Sequence, residues 1–339
     1  MASQKVEEAD GASEVANRKR ACGSSAIINV HDLVSVVTPA YHLQAAFLAE
    51  ALESVLGQAY CSLEAIVVRD GSDEVLRVID KFSGDRRLRS HRERGKGYIA
   101  ALNQGIGISR GEYIGFCDSD DVLNRDHIKM LADALRRFPD SGLAFDNLTY
   151  IVESTDSGPG ALCGRNELHN RPLISRSQAR KFLETGVRLQ DVFLDNLISG
   201  PAFMVPRRVF DRVGLFDENS FLVNDLHLFY RIGTHFPFRY VDYMGVLKRV
   251  HVNNLTTTHP HYEYGVRSLE NIREHYPEVC RRIGRAFDRK LGRKYYRLGL
   301  YCERNGNRSR AREMYRKAML TRKLSLRYHW AYLRSTIPR

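Results

Sequence analysis

Long apolar runs and closely spaced cysteines are both missing from this sequence. No stretch approaches the ~18 apolar residues of a membrane-spanning helix, so no transmembrane segment is predicted. The six cysteines among 339 residues lack the paired spacing of a zinc site, and we interpret them as reduced thiols of a cytoplasmic protein. The first 25 residues have no apolar signal core. We therefore expect residues 1–30 to form a disordered tail and expect no secretion.

Acidic residues are scarce in the last quarter of the chain. Residues 266–339 contain 21 Lys and Arg but only 6 Asp and Glu, a net charge of +15, whereas the remainder holds 31 basic and 34 acidic residues. We expect residues 261–339 to form a basic helical extension. Several roles stay open for it: a solvated basic face, or binding of nucleic acid, an acidic partner or anionic lipid headgroups, for example at the inner membrane surface. No nucleic-acid-binding motif accompanies the charge, so nucleic acid is not an expected partner.

Strand-like runs alternate with helical patterns between residues 33 and 117. The predicted strands are Leu33–Thr38, Leu63–Val68, Leu88–His91 and Tyr113–Cys117. Strands that alternate with helices in this way are typical of an α/β fold with a mostly parallel, Rossmann-like sheet covered on both faces. Pro39 is expected to end the first strand, since proline removes a ladder donor.

Polar or turn residues follow each predicted strand, and in a doubly wound sheet these positions converge on one crevice. They are Pro39-Ala40-Tyr41, Asp70-Gly71-Ser72, Gly95-Lys96-Gly97 and Asp118-Ser119-Asp120. The Tyr41 ring and the Asp70 carboxylate suit a nucleobase and its ring N–H. Lys96 between two glycines suits a phosphate. The Gly-x4-Gly-Lys-Ser/Thr motif is absent, which disfavours a P-loop enzyme.

Three carboxylates lie within four residues at the end of the fourth strand: Asp118, Asp120 and Asp121. Carboxylates this close repel one another, and each is costly to bury unless a cation pairs with it. A hard divalent ion that bridges carboxylate and diphosphate oxygens would relieve the repulsion. The alternative is a helix start with an Asp cap, which fits Asp121 and Asp126 before the helix-like run Ile128–Phe138 but leaves Asp118 unexplained.

Additional motifs extend the pattern over residues 33–251. They are Ser54-Val55-Leu56-Gly57-Gln58, Ala101-Leu102-Asn103-Gln104-Gly105-Ile106, Gly111-Glu112-Tyr113-Ile114, Arg207-Arg208-Val209-Phe210, Val213-Gly214-Leu215-Phe216-Asp217-Glu218 and Asp225-Leu226-His227-Leu228. With the strand-end motifs, this set resembles family 2 glycosyltransferases of the GT-A fold. The resemblance implies a GT-A domain over residues 31–260, with a nucleotide-sugar half (31–121) and an acceptor half (122–260).

The resemblance also implies roles for individual residues. Pro39, Tyr41 and Asp70 would line the nucleoside pocket, and Asp118 would approach the ribose. Asp120 would bind a Mg or Mn ion held by the donor diphosphate, with His251 near the metal or diphosphate.

Asp225 would be the general base that deprotonates the acceptor hydroxyl, and its alternative role is a helix N-cap. Three residues depart from the family pattern. Arg69 occupies a position that is often Asp, Gly95 one that is often Asn, and Asn224 one that is often Glu. These departures put nucleotide preference and activity in question.

The resulting hypothesis is a metal-dependent, inverting glycosyltransferase that moves a sugar from a nucleotide-sugar donor to a glycan or lipid-linked acceptor hydroxyl. A UDP-sugar is the expected donor. Two alternatives stay open. One is a sugar nucleotidyltransferase, which would release pyrophosphate from a nucleoside triphosphate. The other is a degenerate transferase domain that binds a nucleotide sugar or a partner without turnover.

Overall fold

The computed structural model describes residues 32–41, 45–95, 97–152, 172–198, 200–218, 224–251, 254 and 261–336. The statements below concern those residues. The predicted tail (1–30) and Lys96 lie outside them.

Eight strands in the described part of the chain form one sheet of order β3-β2-β1-β4-β7-β6-β8-β5. Their bounds are β1 Val34–Ala40, β2 Leu63–Arg69, β3 Leu88–Arg92, β4 Tyr113–Phe116, β5 Val122–Leu123, β6 Leu143–Val152, β7 Phe203–Pro206 and β8 Phe238–Val250. Strands β1–β4 pair in parallel, as do β6 and β8, whereas β7 is antiparallel to β4 and β6, and β5 to β8. The predicted α/β fold class with a mostly parallel sheet is confirmed.

The helices of the described residues cover this sheet and continue beyond it. They are α1 Ala45–Leu56, α2 Asp73–Asp80, α3 Tyr98–Ile108, α4 His127–Arg137, α5 Arg176–Thr185, α6 Leu189–Asp195, α7 Arg207–Val213, α8 Asn224–His235, α9 His261–His275, α10 Pro277–Ile283, α11 Arg285–Arg304, α12 Arg308–Thr321 and α13 Leu326–Thr336. Neighbouring strand residues face opposite sides, because side chains alternate along a strand. Val36 packs with α1 and α4, whereas Val37 packs with α3, so helices bury both faces of the sheet.

Strand β1 runs through Pro39, contrary to the predicted end at Thr38. Ala40 still pairs with Arg69 of β2, whereas pairing with β4 stops at Val37. The Val37 carbonyl accepts a hydrogen bond from the Cys117 N–H, so the backbone polar groups of Val37 point toward β4. Pro39 is two residues further along the strand, so its backbone nitrogen points to the same side. Because β4 has ended there, the missing N–H of Pro39 breaks no ladder bond.

The C-terminal helices share a core with the sheet domain. Phe287 of α11 stacks on Phe193 of α6 at a centroid distance of 5.6 Å, and Phe193 also contacts Tyr230 of α8 at 5.0 Å. Within the extension, α11 and α12 approach closely at Gly299, where an added Cβ would lie 2.5 Å from the Tyr315 ring. The extension therefore docks on the main domain. The boundary at residue 260 remains a prediction.

One cysteine departs from the expectation of reduced thiols. Cys61 is disulfide-bonded, whereas Cys117, Cys280 and Cys302 are free. The sequence missed this bond because the spacing of cysteines along a chain does not report which of them meet in space.

No helix in the described part of the chain combines the length and apolarity required to cross a membrane.

Candidate active site

The three predicted carboxylates gather in the turn between β4 and β5. The Asp121 N–H donates to the Asp118 carbonyl at 3.1 Å, and carboxylate oxygens of Asp118, Asp120 and Asp121 lie within 4.8 Å of one another. Asp121 is the most buried, with 1% of its side chain exposed, against 19% for Asp118 and 13% for Asp120. The helix-start alternative holds for Asp126, the N-cap residue of α4, but not for Asp121, which precedes a strand, β5.

The end of β8 holds this turn in place. The Arg249 backbone N–H donates to Asp121 Oδ1 at 2.8 Å, and the Arg249 guanidinium donates to the Asp120 carbonyl at 3.1 Å. The same guanidinium contacts Glu50 at 2.6 Å and lies over the Phe47 ring, both on α1. The acidic turn is thus fixed by a strand 127 residues away in sequence.

Lys248 supplies positive charge inside the cluster. Its ammonium lies 3.2 Å from Asp121 Oδ2 and 3.7 Å from Asp118 Oδ2. Burial alone would lower the pKa of Lys248, but the carboxylates of Asp121 and Asp118 raise it well above its usual value. The space beside it is narrow, since a Cβ on Gly200 would lie 2.8 Å from the ammonium.

Asp120 is bound by groups from the segment after β8. His251 Nε2 lies 3.0 Å from Asp120 Oδ2, and Asn254 Nδ2 donates to the same oxygen at 3.1 Å. Asn254 also accepts from the His251 N–H at 2.7 Å, which ties the two residues together. The predicted pair Asp120 and His251 is therefore brought into contact.

The three aspartates differ in pKa. Burial raises the pKa of Asp121 to about 8 and also raises that of Asp118, despite the opposing charge of Lys248. Burial acts in the same direction on Asp120, but hydrogen bonding from His251 and the charge of Lys248 outweigh it and lower its pKa. Tyr98 at the start of α3 donates to Asp118 Oδ1 at 2.6 Å, and burial beside that carboxylate raises the pKa of the phenol.

The predicted nucleoside-side residues lie at the ends of β1 and β2. Asp70 Oδ1 accepts from the Ser72 N–H at 3.0 Å, which orients the carboxylate in the turn after β2. Burial, then the carboxylates of Glu93 and Asp70, raise the pKa of Tyr41, so these three side chains are neighbours. Pro39 is buried within β1.

Two of the three residues that differ from the family pattern have a structural explanation. Arg69 donates from Nε to Ser90 Oγ of β3 at 3.1 Å. At Gly95 a Cβ would lie 2.7 Å from the Ala100 Cβ, so the close approach to α3 requires glycine. The side chain of Asn224 lies outside the described residues.

Asp225 is in the first turn of α8 and faces the acidic cluster. Burial raises the pKa of Asp225 to about 6; the Asp118 charge acts in the same direction, whereas the Leu226 N–H and Lys248 oppose it. That N–H donates to Asp225 Oδ1 at 2.7 Å. Because the charges of Lys248 and Asp118 both act on Asp225, this carboxylate lies near the acidic cluster.

The aspartate cluster suits a hard divalent cation. Three carboxylates surround one ammonium, Lys248, so a further cation would balance the cluster when all three are ionised. Carboxylate oxygens are the ligands that Mg and Mn prefer. Both oxygens of Asp121 already bind Lys248 or Arg249, so Asp118 and Asp120 are the candidates to hold an ion.

Sequence reasoning missed Lys248, Tyr98 and Asn254. Lys248 carried a signal, since it interrupts the apolar run Gly245-Val246-Leu247 that leads to Val250. Tyr98 and Asn254 carried none, because tyrosine at a helix start and asparagine in an irregular segment are ordinary.

The sequence of this chain is similar to those of known proteins. The profile described as "Glycosyl transferase family 2" matches residues 35–211, more than half of the chain. An uncharacterised glycosyltransferase of Rickettsia typhi is 29% identical over 231 residues, which cover 67% of this chain and 66% of that protein. Chondroitin synthase of Escherichia coli is 31% identical over 163 residues, covering 48% of this chain and 23% of that enzyme.

The fold also has solved relatives. TarS of S. aureus, crystallised with UDP-GlcNAc, superposes with a TM-score of 0.56 at 16% identity, over 89% of this chain and 79% of the other. That likeness concerns the fold alone. The chain belongs to glycosyl transferase family 2.

Proposed function

We propose that this protein is an inverting glycosyltransferase that moves a sugar from a nucleotide sugar to a hydroxyl of a glycan or lipid-linked acceptor. The observation that carries the proposal is that Asp225 lies near the aspartate cluster. Asp118 and Asp120 belong to that cluster, and the charges of Asp118 and Lys248 act on Asp225, whose pKa is about 6. Carboxylates that can hold a diphosphate-bound cation thus lie near a separate carboxylate that can accept a proton.

Asp225 is assigned as the general base. A carboxylate with a pKa of about 6 remains mostly ionised at neutral pH and is a stronger base than an ordinary aspartate. It removes the proton from the acceptor hydroxyl as that oxygen attacks the anomeric carbon. One base on the face opposite the leaving group gives inversion.

The donor side is assigned to residues at the strand ends. Pro39, Tyr41 and Asp70 line the nucleoside pocket, Lys96 binds phosphate and Asp118 contacts the ribose. Asp120 and His251 would hold a Mg or Mn ion together with the donor diphosphate. When bound, this ion neutralises the charge that develops on the departing nucleoside diphosphate.

A UDP-linked donor is the first choice for testing. Tyr41 and Asp70 together provide a ring and a carboxylate that suit a nucleobase with a ring N–H, such as uracil. TarS, which shares the fold, was crystallised with UDP-GlcNAc.

The test measures UDP release from a panel of UDP-sugars, with Mn²⁺, Mg²⁺ or EDTA. Asp225→Asn should lower kcat by about a thousandfold while UDP binding is retained, because a base acts on the acceptor side. Asp120→Ala should weaken metal-dependent UDP binding. Asp80→Asn is the matched control, since Asp80 is exposed at the end of α2.

Two results would overturn the proposal. Release of pyrophosphate from a nucleoside triphosphate would assign a nucleotidyltransferase. Nucleotide binding without sugar transfer to any acceptor, equal in wild type and Asp225→Asn, would assign a binding module.

A further inference from the structure

An apolar ridge of four exposed side chains lies at the C-terminal end of the described chain. Leu324, Leu326, Trp330 and Leu333 are 98%, 86%, 64% and 60% exposed. The last three follow one another at intervals of four and three, so they share one face of α13. Tyr328 and Ala331 are buried, so α13 packs on the molecule through its other face.

Basic side chains surround this apolar ridge. Arg322, Lys323 and Arg327 are exposed beside the two leucines, and Arg334 lies over the Trp330 ring at 5.3 Å. Tyr296 of α11 lines the same groove as Leu326 and Trp330, and Arg327 lies 4.5 Å over its ring. Residues 322–336 contain no Asp or Glu.

The combination of exposed bulky apolar side chains and a mainly basic rim, in which Glu303 of α11 pairs with Arg334 at 2.7 Å, limits the choice of partner. A second copy docked through the same patch would place arginines and lysines against themselves, because a two-fold interface pairs a surface with its own image. Aliphatic leucines add little to binding of nucleic acid, which relies on phosphate contacts and aromatic stacking.

An anionic lipid surface can bind both the apolar ridge and its basic rim. Leucine side chains enter the acyl region, tryptophan favours the interface, and arginine and lysine reach the headgroup phosphates. Each basic residue near an anionic surface also strengthens binding. We propose that the apolar ridge and its basic rim dock this protein on anionic phospholipid. The inference goes beyond the proposed sugar transfer and does not depend on it.

The test uses the single tryptophan of the sequence as its reporter. Full-length protein is mixed with vesicles of equimolar phosphatidylglycerol and phosphatidylcholine, or of phosphatidylcholine alone. The emission of Trp330 should shift to shorter wavelength with the anionic vesicles only, and quenchers attached to lipid acyl chains should reduce it. Added salt should weaken the binding.

Variants separate the contribution of the apolar ridge to vesicle binding from that of its basic rim. Leu324→Ser with Leu326→Ser keeps the reporter and should lower vesicle partitioning at least tenfold, because the inserting side chains are lost. Arg322→Gln, Lys323→Gln and Arg327→Gln combined should lower it about a hundredfold at low salt. Leu183→Ser on α5 is the matched control, since Leu183 is 58% exposed and remote in sequence. Melting temperatures identify any variant that fails to fold.

Several results would overturn the docking proposal. These are an unchanged emission with anionic vesicles, equal binding to both vesicle types, or binding of single-stranded RNA without vesicle binding. A dimer in light scattering that Leu326→Ser dissociates, again without vesicle binding, would assign the ridge to a second copy.

Discussion

At the scale of single residues, Asp225 connects burial with reactivity. Its pKa of about 6 arises first from burial and then from the nearby Asp118 charge. A base must be ionised to accept a proton, so activity should fall as pH drops below about 6. We expect the acid limb of kcat/KM to have its midpoint near that pH.

Measurement of kcat/KM from pH 5 to 8 checks this prediction. Asp225→Glu, which keeps a carboxylate, should retain a similar acid limb at lower activity. An acid limb that persists unchanged in residual Asp225→Asn activity would show that another group is responsible.

Lys248 is the second informative residue, because it neutralises a carboxylate that is almost fully buried. Lys248→Met leaves Asp121 facing Asp118 without the ammonium. We expect the free energy of unfolding to fall by about 2 to 3 kcal/mol, less than for a fully buried pair because Lys248 is 23% exposed.

Denaturant unfolding of a double-mutant cycle measures this effect. Lys248→Met combined with Asp121→Asn should recover part of the loss, since the unpaired charge is removed together with its partner. Additive losses in the double variant would mean that the two side chains do not depend on each other.

At the scale of elements, strand β8 holds the site together. It carries Lys248 and Arg249 to the acidic turn, and Gly245 lies three residues before Lys248. A Cβ at Gly245 would lie 1.8 Å from Asp146 Oδ2 and 2.3 Å from His127 Nδ1, two buried groups that are themselves 2.7 Å apart.

Gly245→Ala must therefore displace β8 or separate the His127–Asp146 pair. We expect a loss of about 3 kcal/mol in unfolding free energy, together with weaker nucleotide binding because Lys248 moves. Gly107→Ala in α3 is the control, since nothing lies within 4 Å of its added Cβ. Equal stability of the two variants would contradict the predicted crowding.

At the scale of the whole molecule, the basic extension is part of the folding unit. Phe287 is 2% exposed and stacks on Phe193, so the two regions share apolar surface. Phe287→Ala should cost about 3 kcal/mol or more and lower a single melting transition of the entire chain.

Calorimetry, with nucleotide binding as a second reporter, tests this prediction. Tyr301→Ala is the control on the same helix, because Tyr301 is 41% exposed. Two separate transitions, with only the later residues destabilised by Phe287→Ala, would show that residues 261–336 fold independently.

The sequence alone determined the local chemistry of this protein. Alternating strands and helices predicted the sheet, which the structure confirms. Because strand ends of a parallel sheet meet at one edge, the sequence also predicts Tyr41, Asp70 and Asp118 in one crevice. The pairing of Asp120 with His251 came only from the family resemblance, since no local pattern joins residues so far apart.

Tertiary structure decided what depends on contacts between distant segments. Lys248 meets Asp121, and Tyr98 meets Asp118, only because β8 and α3 fold against the same turn. The pKa of Asp225 likewise depends on burial and on charges from other elements. Sequence patterns report the periodicity of each element, whereas these contacts depend on how the elements pack in space.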